Sequence, residues 1–389
     1  MKFTISASEL SKTIQKALPA IPPKSTLPVL EHFHLQAKDN SLNIVSTDQE
    51  ISIIAKVDCT VIEDGEILVP ARKFNEMVKA LGKGEIEFSV NEENEQITIT
   101  SSTGKYDMKG LSTDEYLNLP ELFATDNVNI EELMNLESEN SALLTNEDFN
   151  YLNDKTLFAV SKDEFRPAMT GVLFQFRGDE LNVVATDSYR LVLANKKFDE
   201  NKFSQEFDFI IPARTMELLK KVDEDVILTP VENNGKVTHI RISIGNVLVV
   251  SRLIDEKFPP FSAVIPKDNA FFAKIDKKQI IEAVKRVSVF TNATSKQVKL
   301  KFEGSTLMIT GEDADSGTQA TEQITYSGTV DNLEIGFNYL YLEEAVQHTD
   351  IIEDNSVYMT FSEANRPALI LPTQDAQNLL MLIMPVRLN

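Results

Sequence analysis

Apolar and polar residues follow the same order in three stretches of the chain: a short strand, an amphipathic helix and a hairpin. The helices are predicted over residues 7–18, 146–160 and 277–287. Ser6, Thr145 and Asp276 stand just before them, and such side chains satisfy the free N–H groups of a helix's first turn. The repetition predicts three copies of one structural unit.

A hairpin is predicted after each of these helices. The strand pairs are residues 30–37 with 41–45, 171–176 with 180–184, and 298–302 with 306–310. Each turn is rich in Gly, Asn or Asp, as short hairpin turns require. An aspartate follows each hairpin, at Asp48, Asp187 and Asp313, with spacings of 139 and 126 positions.

A second strand and helix complete each copy. The helices are predicted over residues 74–81, 216–222 and 340–347, after strands marked by Pro70, Pro212 and Gly336. These landmarks are 142 and 124 positions apart, close to the aspartate spacings. Pro70 and Pro212 suit the first turn of a helix, where a missing N–H costs nothing.

The predicted fold class is therefore α+β, with two helices packed on antiparallel sheets in each of three repeated domains. The predicted domains cover residues 1–125, 141–266 and 270–389, and residues 126–140 form an acidic linker.

Composition places the chain among soluble globular proteins. It has 389 residues, 42% of them hydrophobic, and its longest apolar runs fall short of the ~18 residues of a membrane span. The first residues lack the apolar run of a secretory signal. Cys59 is the sole cysteine, so an internal disulfide is excluded and a reducing, cytoplasmic location is expected, without membrane attachment.

The net charge of −22 argues against ordinary DNA binding, because proteins that grip phosphates carry a basic excess. The segments that contain the six predicted helices nevertheless hold 13 Lys and Arg against 10 Asp and Glu, counted over residues 8–18, 71–81, 147–160, 213–221, 276–287 and 338–347. This distribution fits a mildly basic helical surface on an acidic body. It also fits the plain helix-forming preference of Lys and Arg.

No catalytic motif is present. Phosphate-binding and dinucleotide-binding glycine loops are missing, and the acidic run that begins at Asp313 has Ile324 where a calcium loop needs Glu. His32 and His34 form a possible metal-chelating pair, but two histidines on one face of a strand are more often ordinary surface residues. We therefore predict no catalytic residues, no metal and no cofactor.

Several motifs together resemble one family. They are Thr26-Leu27-Pro28-Val29-Leu30, Val69-Pro70-Ala71-Arg72-Lys73-Phe74, Val184-Ala185-Thr186-Asp187-Ser188-Tyr189-Arg190-Leu191, Glu334-Ile335-Gly336-Phe337-Asn338 and Met384-Pro385-Val386-Arg387-Leu388. In this order, over essentially the whole chain, they resemble the bacterial sliding clamp, the beta subunit of DNA polymerase III. The resemblance implies a non-catalytic processivity factor. It implies a head-to-tail homodimeric ring that encircles double-stranded DNA without reading its sequence.

The resemblance also implies a pocket between the second and third domains that receives short peptides. The partners would be the replicative polymerase, the clamp loader and other proteins with a clamp-binding motif. The pocket residues mapped by motif are Met169, Thr186, Ser188, Tyr189, Arg190, Leu191, Pro259, Val264, Leu382, Ile383, Met384, Pro385, Val386, Arg387 and Leu388. Arg190 and Arg387 are expected to bond peptide carbonyl or acidic groups at the rim.

Two further sets of residues follow from the resemblance. The expected DNA contacts are Lys24, Arg72, Lys73, Lys162, Arg166 and Arg214. The expected dimer contacts are Tyr106 and Met108 on an edge strand of residues 105–109, facing Val289 and Phe290 of the partner subunit.

The third copy departs from the pattern. Gly336-Phe337-Asn338 stands where the other copies have Pro-Ala-Arg, and the last helix carries Glu343 and Glu344 without a basic residue. DNA contacts are therefore not expected there. The competing hypothesis is a repeat-built adaptor with no DNA role, which explains the acidity more simply. A ring-shaped particle distinguishes the clamp from such an open scaffold.

Overall fold

The structure is a computed structural model that describes residues 1–91, 93–116, 141–198, 206–233 and 235–388. Its contacts divide the chain into two compact units. The first unit contains residues 1–149 and 221–253, and the second contains residues 150–220 and 254–389. The predicted linker, residues 126–140, lies outside the described residues. The three predicted domain boundaries stay predictions.

The described residues contain six α-helices, in the positions that the repeat pattern predicts. They are α1 (Ala7–Ala17), α2 (Ala71–Leu81), α3 (Asn146–Thr156), α4 (Ala213–Leu218), α5 (Lys277–Ser288) and α6 (Tyr339–His348).

The strands of the first half of the chain are β1 (Lys2–Ser6), β2 (His32–Lys38), β3 (Ser41–Thr47), β4 (Ile51–Asp58), β5 (Thr60–Glu63), β6 (Gly65–Pro70), β7 (Glu85–Asn91), β8 (Gln96–Thr100), β9 (Lys105–Lys109), β10 (Ala142–Leu144), β11 (Gly171–Arg177), β12 (Glu180–Thr186) and β13 (Arg190–Lys197). Those of the second half are β14 (Phe207–Pro212), β15 (Val226–Asn233), β16 (Lys236–Ile244), β17 (Val247–Arg252), β18 (Phe271–Asp276), β19 (Gln297–Glu303), β20 (Thr306–Asp313), β21 (Thr318–Gly328), β22 (Leu333–Asn338), β23 (Ser356–Phe361), β24 (Ala368–Leu371) and β25 (Leu379–Ile383).

Antiparallel sheets form both units. The first unit has a five-stranded sheet in the order β5-β1-β7-β8-β9 and an eight-stranded sheet in the order β10-β15-β16-β17-β4-β3-β2-β6. The second unit has one twelve-stranded sheet in the order β14-β11-β12-β13-β25-β24-β23-β18-β21-β20-β19-β22. The predicted α+β class with antiparallel sheets is confirmed.

The three hairpins close as predicted: β2 with β3, β11 with β12, and β19 with β20. In each unit a strand of one copy continues the sheet of another. In the first unit β4 pairs with β17, and in the second unit β13 pairs with β25. Each copy therefore ends its sheet on a strand from a different part of the sequence.

The strand before the second helix of each copy corrects the predicted alignment. β6, β14 and β22 share one burial pattern, with three consecutive buried residues before the last position. They end at Pro70, Pro212 and Asn338, each of which directly precedes a helix. Asn338, rather than Gly336, is thus the counterpart of the prolines. Asn338 lies 126 positions after Pro212, the same spacing as from Asp187 to Asp313.

Gly336 is explained by a close approach of the chain. The Val386 N–H donates to the Gly336 carbonyl at 2.9 Å. A Cβ on Gly336 would lie 3.0 Å from the Val386 carbonyl oxygen and 2.8 Å from a Leu388 methyl carbon. The same strand position pairs Leu68 with Leu111 in the first copy. Glycine therefore allows the C-terminal segment to lie against β22.

The caps and ends of the helices differ in detail from the prediction. Asp276 accepts from the Gln279 N–H at 2.8 Å, and Thr145 accepts from the Asp148 N–H at 3.1 Å, as predicted. Ser6 does not cap α1, because its hydroxyl hydrogen-bonds the hydroxyl of Ser8 instead.

Three predicted helix ranges were wrong in extent. The second helix of the first copy begins at Ala71 rather than at residue 74. The first helix of the second copy ends at Thr156 rather than at residue 160. A 3-10 turn, Leu157–Ala159, follows it. The second helix of that copy covers Ala213–Leu218 rather than residues 216–222. Pro70 and Pro212 lie one position before the first turns of their helices, since their strands run directly into the helix.

Candidate functional site

A tight turn between β12 and β13 forms the centre of the site. One oxygen of the Asp187 carboxylate accepts from the N–H groups of Tyr189 and Arg190, at 2.9 and 3.0 Å. The Thr186 hydroxyl accepts from the Ser188 N–H at 3.1 Å. Ser188 has a φ of +78°, a region that L-residues seldom occupy. These bonds hold that conformation and direct the Tyr189 side chain, which is exposed, to the surface.

Arg190 is buried, and its guanidinium group is bound on three sides. Nε donates to the second Asp187 oxygen at 3.1 Å, one terminal nitrogen donates to Glu344, and the other donates to the Phe158 carbonyl at 2.7 Å. The guanidinium also lies over two aromatic rings, 4.7 Å from the centre of Tyr341 and 5.2 Å from that of Phe158. Arg190 is thus fixed by charge, hydrogen bonds and stacking together.

This arrangement gives Arg190 contacts that the sequence did not predict. The sequence predicts a rim donor for peptide carbonyl or acidic groups, and that role stays a prediction. In the structure the guanidinium joins three segments of the second unit, because Asp187, Phe158 and Glu344 are its acceptors. Arg387 remains exposed, in keeping with the predicted rim position.

The C-terminal strand β25 runs beside this turn. Arg190 pairs with Ile383, and Leu191 pairs with Leu382. The Met384 N–H then donates to the Tyr189 carbonyl at 2.8 Å. The predicted C-terminal and β13 parts of the pocket therefore come together.

An apolar cluster lies beneath this contact. Leu191 and Leu382 belong to a buried cluster that also contains Leu173, Val184, Ile210, Tyr358, Leu369 and Leu371. Phe258 and Ile265 pack against it, which brings the segment that carries Pro259 and Val264 to the same region. Val264 and Met384 have exposed side chains at its surface. The arrangement is an apolar floor with accessible Met and Val side chains, which suits adaptable peptide binding.

Met169 is joined to the turn by its sulfur atom. The Ser188 hydroxyl donates to the Met169 sulfur at 3.3 Å, and Arg166 donates to the same hydroxyl at 2.8 Å. Arg166 also pairs with Asp163 at 3.3 Å. Arg166, predicted as a DNA contact, is thus placed beside the predicted pocket residues.

A cavity of about 760 Å³ opens beside Arg190. Its wall includes Tyr189 and Tyr341, whose rings stack at 6.2 Å. Burial, and then the nearby Asp187 carboxylate, raises the pKa of Tyr341, so its phenol stays neutral. Lys162, Lys220 and Lys296 also line the cavity.

Four residues of this site were missed by sequence reasoning: Phe158, Tyr341, Glu344 and His348. Phe158 stacks on His348 with ring centres 4.1 Å apart. Glu343 and Glu344 were noticed only as a lack of basic charge. A usable signal did exist, because a buried arginine needs acidic partners. Nothing in the sequence, however, says which acidic residues reach it.

The predicted DNA contacts are mostly exposed. Lys24, Arg72 and Lys73 lie in the first unit, and all three side chains are exposed. Lys162 and Arg214, in the second unit, are exposed as well. Arg72 also reaches the Ile21 carbonyl, at 3.4 Å. These side chains are therefore accessible from solvent.

The basic residues of α5 are largely neutralised. Arg286 donates two hydrogen bonds to Glu322, at 2.7 and 2.8 Å, and Lys285 pairs with Glu343 at 3.4 Å. Lys278 pairs with Glu282 at 3.8 Å. These ion pairs reduce the positive charge that α5 presents to solvent.

The predicted edge strand is present as β9, the last strand of its sheet. On it Tyr106 is 37% exposed, but Met108 is only 7% exposed. Val289 and Phe290, at the end of α5, are 78% and 40% exposed. Tyr106, Val289 and Phe290 are thus available for a partner, whereas Met108 packs mainly inside its own sheet.

Cys59 and His34 are the residues to examine for catalytic or metal chemistry. Burial, and then the Asp58 carboxylate, raises the pKa of the free Cys59 thiol to about 11, so it is not a reactive thiolate. His34 is not a plain surface residue, since it bonds Glu66 at 2.9 Å. Among the described residues no cluster of His, Cys, Asp and Glu is suited to a metal ion, and no helix is long and apolar enough to cross a membrane.

Comparison with known families covers nearly the whole chain. Three profiles match: the N-terminal domain of the DNA polymerase III beta subunit at residues 1–120, its central domain at residues 143–260 and its C-terminal domain at residues 262–387.

Curated relatives agree. The beta sliding clamps of Chlamydia muridarum and Bacillus subtilis are 29% and 28% identical, and in both cases each chain is covered completely.

Solved structures give the same result. The DNA polymerase sliding clamp of Bacillus subtilis has a TM-score of 0.88 at 27% identity, with both chains fully covered. The sliding clamp of Pseudomonas aeruginosa, solved bound to griselimycin, has a TM-score of 0.87 at 25% identity and full coverage of both chains.

The fold of three repeated copies, matched over nearly the whole chain by these families and relatives, is that of the sliding clamps. The chain belongs to the DNA polymerase III beta subunit family. Its function is that of a clamp, a non-catalytic processivity factor in DNA replication. The alternative of an adaptor without a replication role is thereby excluded.

Proposed function

We propose that two copies of this chain close head to tail into a ring around double-stranded DNA. The ring holds the replicative polymerase, the clamp loader and other partners through short peptides. These peptides bind at the surface around Tyr189, Arg190 and Met384. The named partners and the residues that contact them are part of this proposal.

The apolar surface at Met384 is the observation that supports peptide binding most directly. Met384 is exposed, and its backbone is hydrogen-bonded to Tyr189, so an apolar side chain is presented on an ordered backbone. Val264 is exposed in the same region, above packed residues of the apolar cluster. A bound peptide would gain affinity by covering these side chains with its own apolar residues.

The charge of the chain supports holding DNA by topology. A net charge of −22 disfavours tight electrostatic binding, which weakens steeply with salt when ~6–10 phosphates are contacted. A closed ring needs no strong contact, because duplex DNA cannot leave it sideways. Exposed Lys24, Arg72 and Lys73 supply weak, sequence-independent contacts that permit sliding.

The ring is tested by loading the protein onto a nicked circular plasmid with a clamp loader. After a rise in salt that leaves the dimer intact, the protein is expected to stay on the circle. Cutting the plasmid once is expected to release it, because a ring slides off an end. Retention on cut DNA, or loss from the intact circle, would favour ordinary surface binding.

The dimer contact is tested with Val289→Asp and Phe290→Asp, measured by light scattering. A folded monomer of about 43.6 kDa is expected, instead of a dimer of twice that mass. Tyr106→Asp is the matched change on β9. Met108 is a poor choice for this test, since a charge there would disturb its own sheet.

Peptide binding is tested with Met384→Asp rather than by removing the C-terminal residues. Truncation would also remove the Val386–Gly336 hydrogen bond and could disturb β22. Met384→Asp is expected to weaken a polymerase-derived peptide at least tenfold in an anisotropy titration, while the dimer persists. Unchanged affinity would place the peptide site elsewhere.

A further inference from the structure

Every basic residue of α5 has a partner. The helix carries four of them: Lys277, Lys278, Lys285 and Arg286. Lys277 donates to two backbone carbonyls, at 2.6 and 2.8 Å, and Lys278 pairs with Glu282 of the same helix at 3.8 Å. Lys285 and Arg286 are held by glutamates from outside the helix. Other elements of the third copy therefore neutralise the charge at this end of α5.

The contact between Arg286 and Glu322 is made at two points. The guanidinium donates from Nε and from a terminal nitrogen to the two carboxylate oxygens, at 2.7 and 2.8 Å. Glu322 lies on β21 opposite the buried Ile309, on the sheet face against which α5 packs. The bond to Arg286 lowers the pKa of the Glu322 carboxyl, which is therefore ionised at neutral pH. The carboxylate thus occupies the same pair of donors that a phosphate group would use.

Lys285 is held in the same way by the second helix of the copy. Its ammonium lies 3.4 Å from the carboxylate of Glu343 on α6. The side chains of Glu343 and Glu322 are 20% and 28% exposed, whereas those of Lys285 and Arg286 are 55% and 58% exposed. The cations therefore lie outermost and each glutamate lies beneath its cation. Ion pairs this exposed contribute little to stability, so the main effect of the two glutamates is on the charge of the surface.

The helical surface of the first copy shows the contrast. On α2, Arg72 donates to the Ile21 carbonyl, which is neutral, and Lys73 is exposed. Among the residues that the structure describes, neither side chain forms an ion pair. Helix α2 therefore keeps its positive charge, whereas α6, its counterpart in the third copy, has no Lys or Arg and supplies Glu343 to α5.

We propose that Glu322 and Glu343 compete with DNA phosphates for Arg286 and Lys285, and so keep the contact of the third copy with the duplex weak. The inference rests on the proposed ring around DNA, and it adds how the strength of the DNA contact is set. A phosphate has to displace a carboxylate that is already bound, so it gains little affinity. Weak contact favours sliding, because each firm phosphate contact adds both affinity and salt dependence.

The test removes both carboxylates with the double variant Glu322→Gln and Glu343→Gln, whose amides keep the shape of the side chains. A short labelled duplex, which can enter a ring end on, is titrated with the intact dimer and followed by fluorescence anisotropy. Between about 200 and 50 mM salt, the double variant should gain about tenfold more affinity than the wild type, the scale of two added phosphate contacts. After loading onto a plasmid that is then cut, it should also slide off more slowly at low salt.

A matched control changes the charge equally on the opposite face of the same sheet. Glu303 pairs with Lys301 at 3.0 Å, and Glu334 pairs with Lys299 at 3.3 Å. These lysines alternate along β19 with buried apolar residues, so they point away from the helices. Glu303→Gln with Glu334→Gln also frees two lysines and changes the net charge by the same amount. Its affinity for the duplex should follow that of the wild type.

The cations themselves are tested by adding Lys285→Ala and Arg286→Ala. In the double variant these changes should abolish the gain in affinity, because they remove the groups that the glutamines release. In the wild type they should leave the affinity for the duplex nearly unchanged, since the glutamates already neutralise both cations.

Three results would overturn the inference. The double variant could bind the duplex no better than the wild type, or the control on β19 could gain as much, which would indicate a general effect of net charge. Lys285→Ala with Arg286→Ala could also weaken the wild type severalfold, which would show that both cations already contact phosphate. Loss of the wild type from the intact plasmid circle is a different result, because it removes the proposed ring. A gain of the double variant on the short duplex would still show that the glutamates mask these cations.

Discussion

The same turn occurs in each unit of the described chain, and its copy in the second unit forms the centre of the candidate site. In the first unit it is Thr47-Asp48-Gln49-Glu50-Ile51, and in the second it is Thr186-Asp187-Ser188-Tyr189-Arg190. Gln49 and Ser188 both have a φ of +78°. Asp48 accepts from the Glu50 and Ile51 N–H groups at 3.0 and 2.8 Å, which matches the bonds of Asp187.

The difference lies at the fifth position of the turn. Ile51 is buried and pairs with Ser251 of β17, whereas Arg190 is buried and pairs with Ile383 of β25. Ile51 needs only apolar neighbours, but Arg190 requires Asp187, Glu344 and the Phe158 carbonyl. The repeated turn thus supplies the same backbone conformation in both units. The residue at its fifth position, together with the tertiary partners of that residue, decides whether the turn contributes to a candidate site.

The largest expected effect is that of Ile51→Arg. It would bury a guanidinium at a position that the buried Ile51 side chain fills, and an uncompensated buried charge costs roughly 3–5 kcal/mol. We expect a loss of about 4 kcal/mol in the free energy of unfolding, measured in urea. Ile51→Val, at about 1 kcal/mol, is the packing control. A loss below about 2 kcal/mol would mean that the first turn tolerates the arginine.

The reverse change, Arg190→Ile, is expected to cost about 2–3 kcal/mol. Asp187 and Glu344 lose their cation, but Glu344 is partly exposed, so the loss falls below that of a fully buried pair. Arg190→Lys keeps the charge but loses the planar guanidinium group. Its stability should lie between those of the wild type and Arg190→Ile. If Arg190→Ile is as stable as the wild type in urea, the arginine is not needed to join these segments.

Removing the aspartate tests the shared part of the turn. Asp48→Ala should cost about 1–2 kcal/mol, because two backbone N–H groups lose their acceptor. Asp187→Ala should cost about 1 kcal/mol more, since Arg190 Nε loses its partner too. Equal losses in paired unfolding experiments would show that the Arg190 contact adds nothing at the second turn.

The smallest expected effect is a pH dependence at His348, which stacks on Phe158. Burial lowers its pKa, although Asp154 opposes this, so the unfolded chain binds a proton more readily. The second unit should therefore lose stability as the pH falls below about 6.5, the ordinary histidine value. His348→Asn should flatten this part of the stability curve.

His239, in the first unit, provides the comparison for that measurement. Its pKa is also lowered, by burial and then by Arg252, while Glu50 of the first turn opposes this. His239→Asn should remove a separate contribution over the same pH range. A stability curve between pH 5 and 7 that is unaffected by His348→Asn would contradict the role of this histidine.

Much of the fold could be predicted from short sequence patterns. The hairpins closed as predicted because Gly, Asn and Asp mark their turns and alternating residues mark their strands. The spacing between copies was visible in Asp48, Asp187 and Asp313. The alignment failed only at Gly336, because a motif was matched by its position in a run of residues rather than by where the strand ends. Asn338, at the end of β22, caps α6.

The site could be predicted only where its residues follow one another. Thr186 to Leu191 and Leu382 to Leu388 are continuous motifs, and the structure brings their strands together as β13 and β25. Arg166 was assigned to DNA because its sequence context shows a basic residue and nothing of its contact with Ser188. The contacts of Arg190 with Phe158 and Glu344 could not be predicted for the same reason.

The sequence by itself determined three copies of an α+β unit, the aspartate that follows each hairpin, and the membership of a clamp family. These depend on neighbouring residues and local periodicity, which the chain displays directly. Only the tertiary structure decided that Arg190 is enclosed by Phe158, Tyr341 and Glu344. Those residues come from distant segments, and their meeting depends on how α3, α6 and β13 pack, since side-chain contacts between remote segments leave no local pattern.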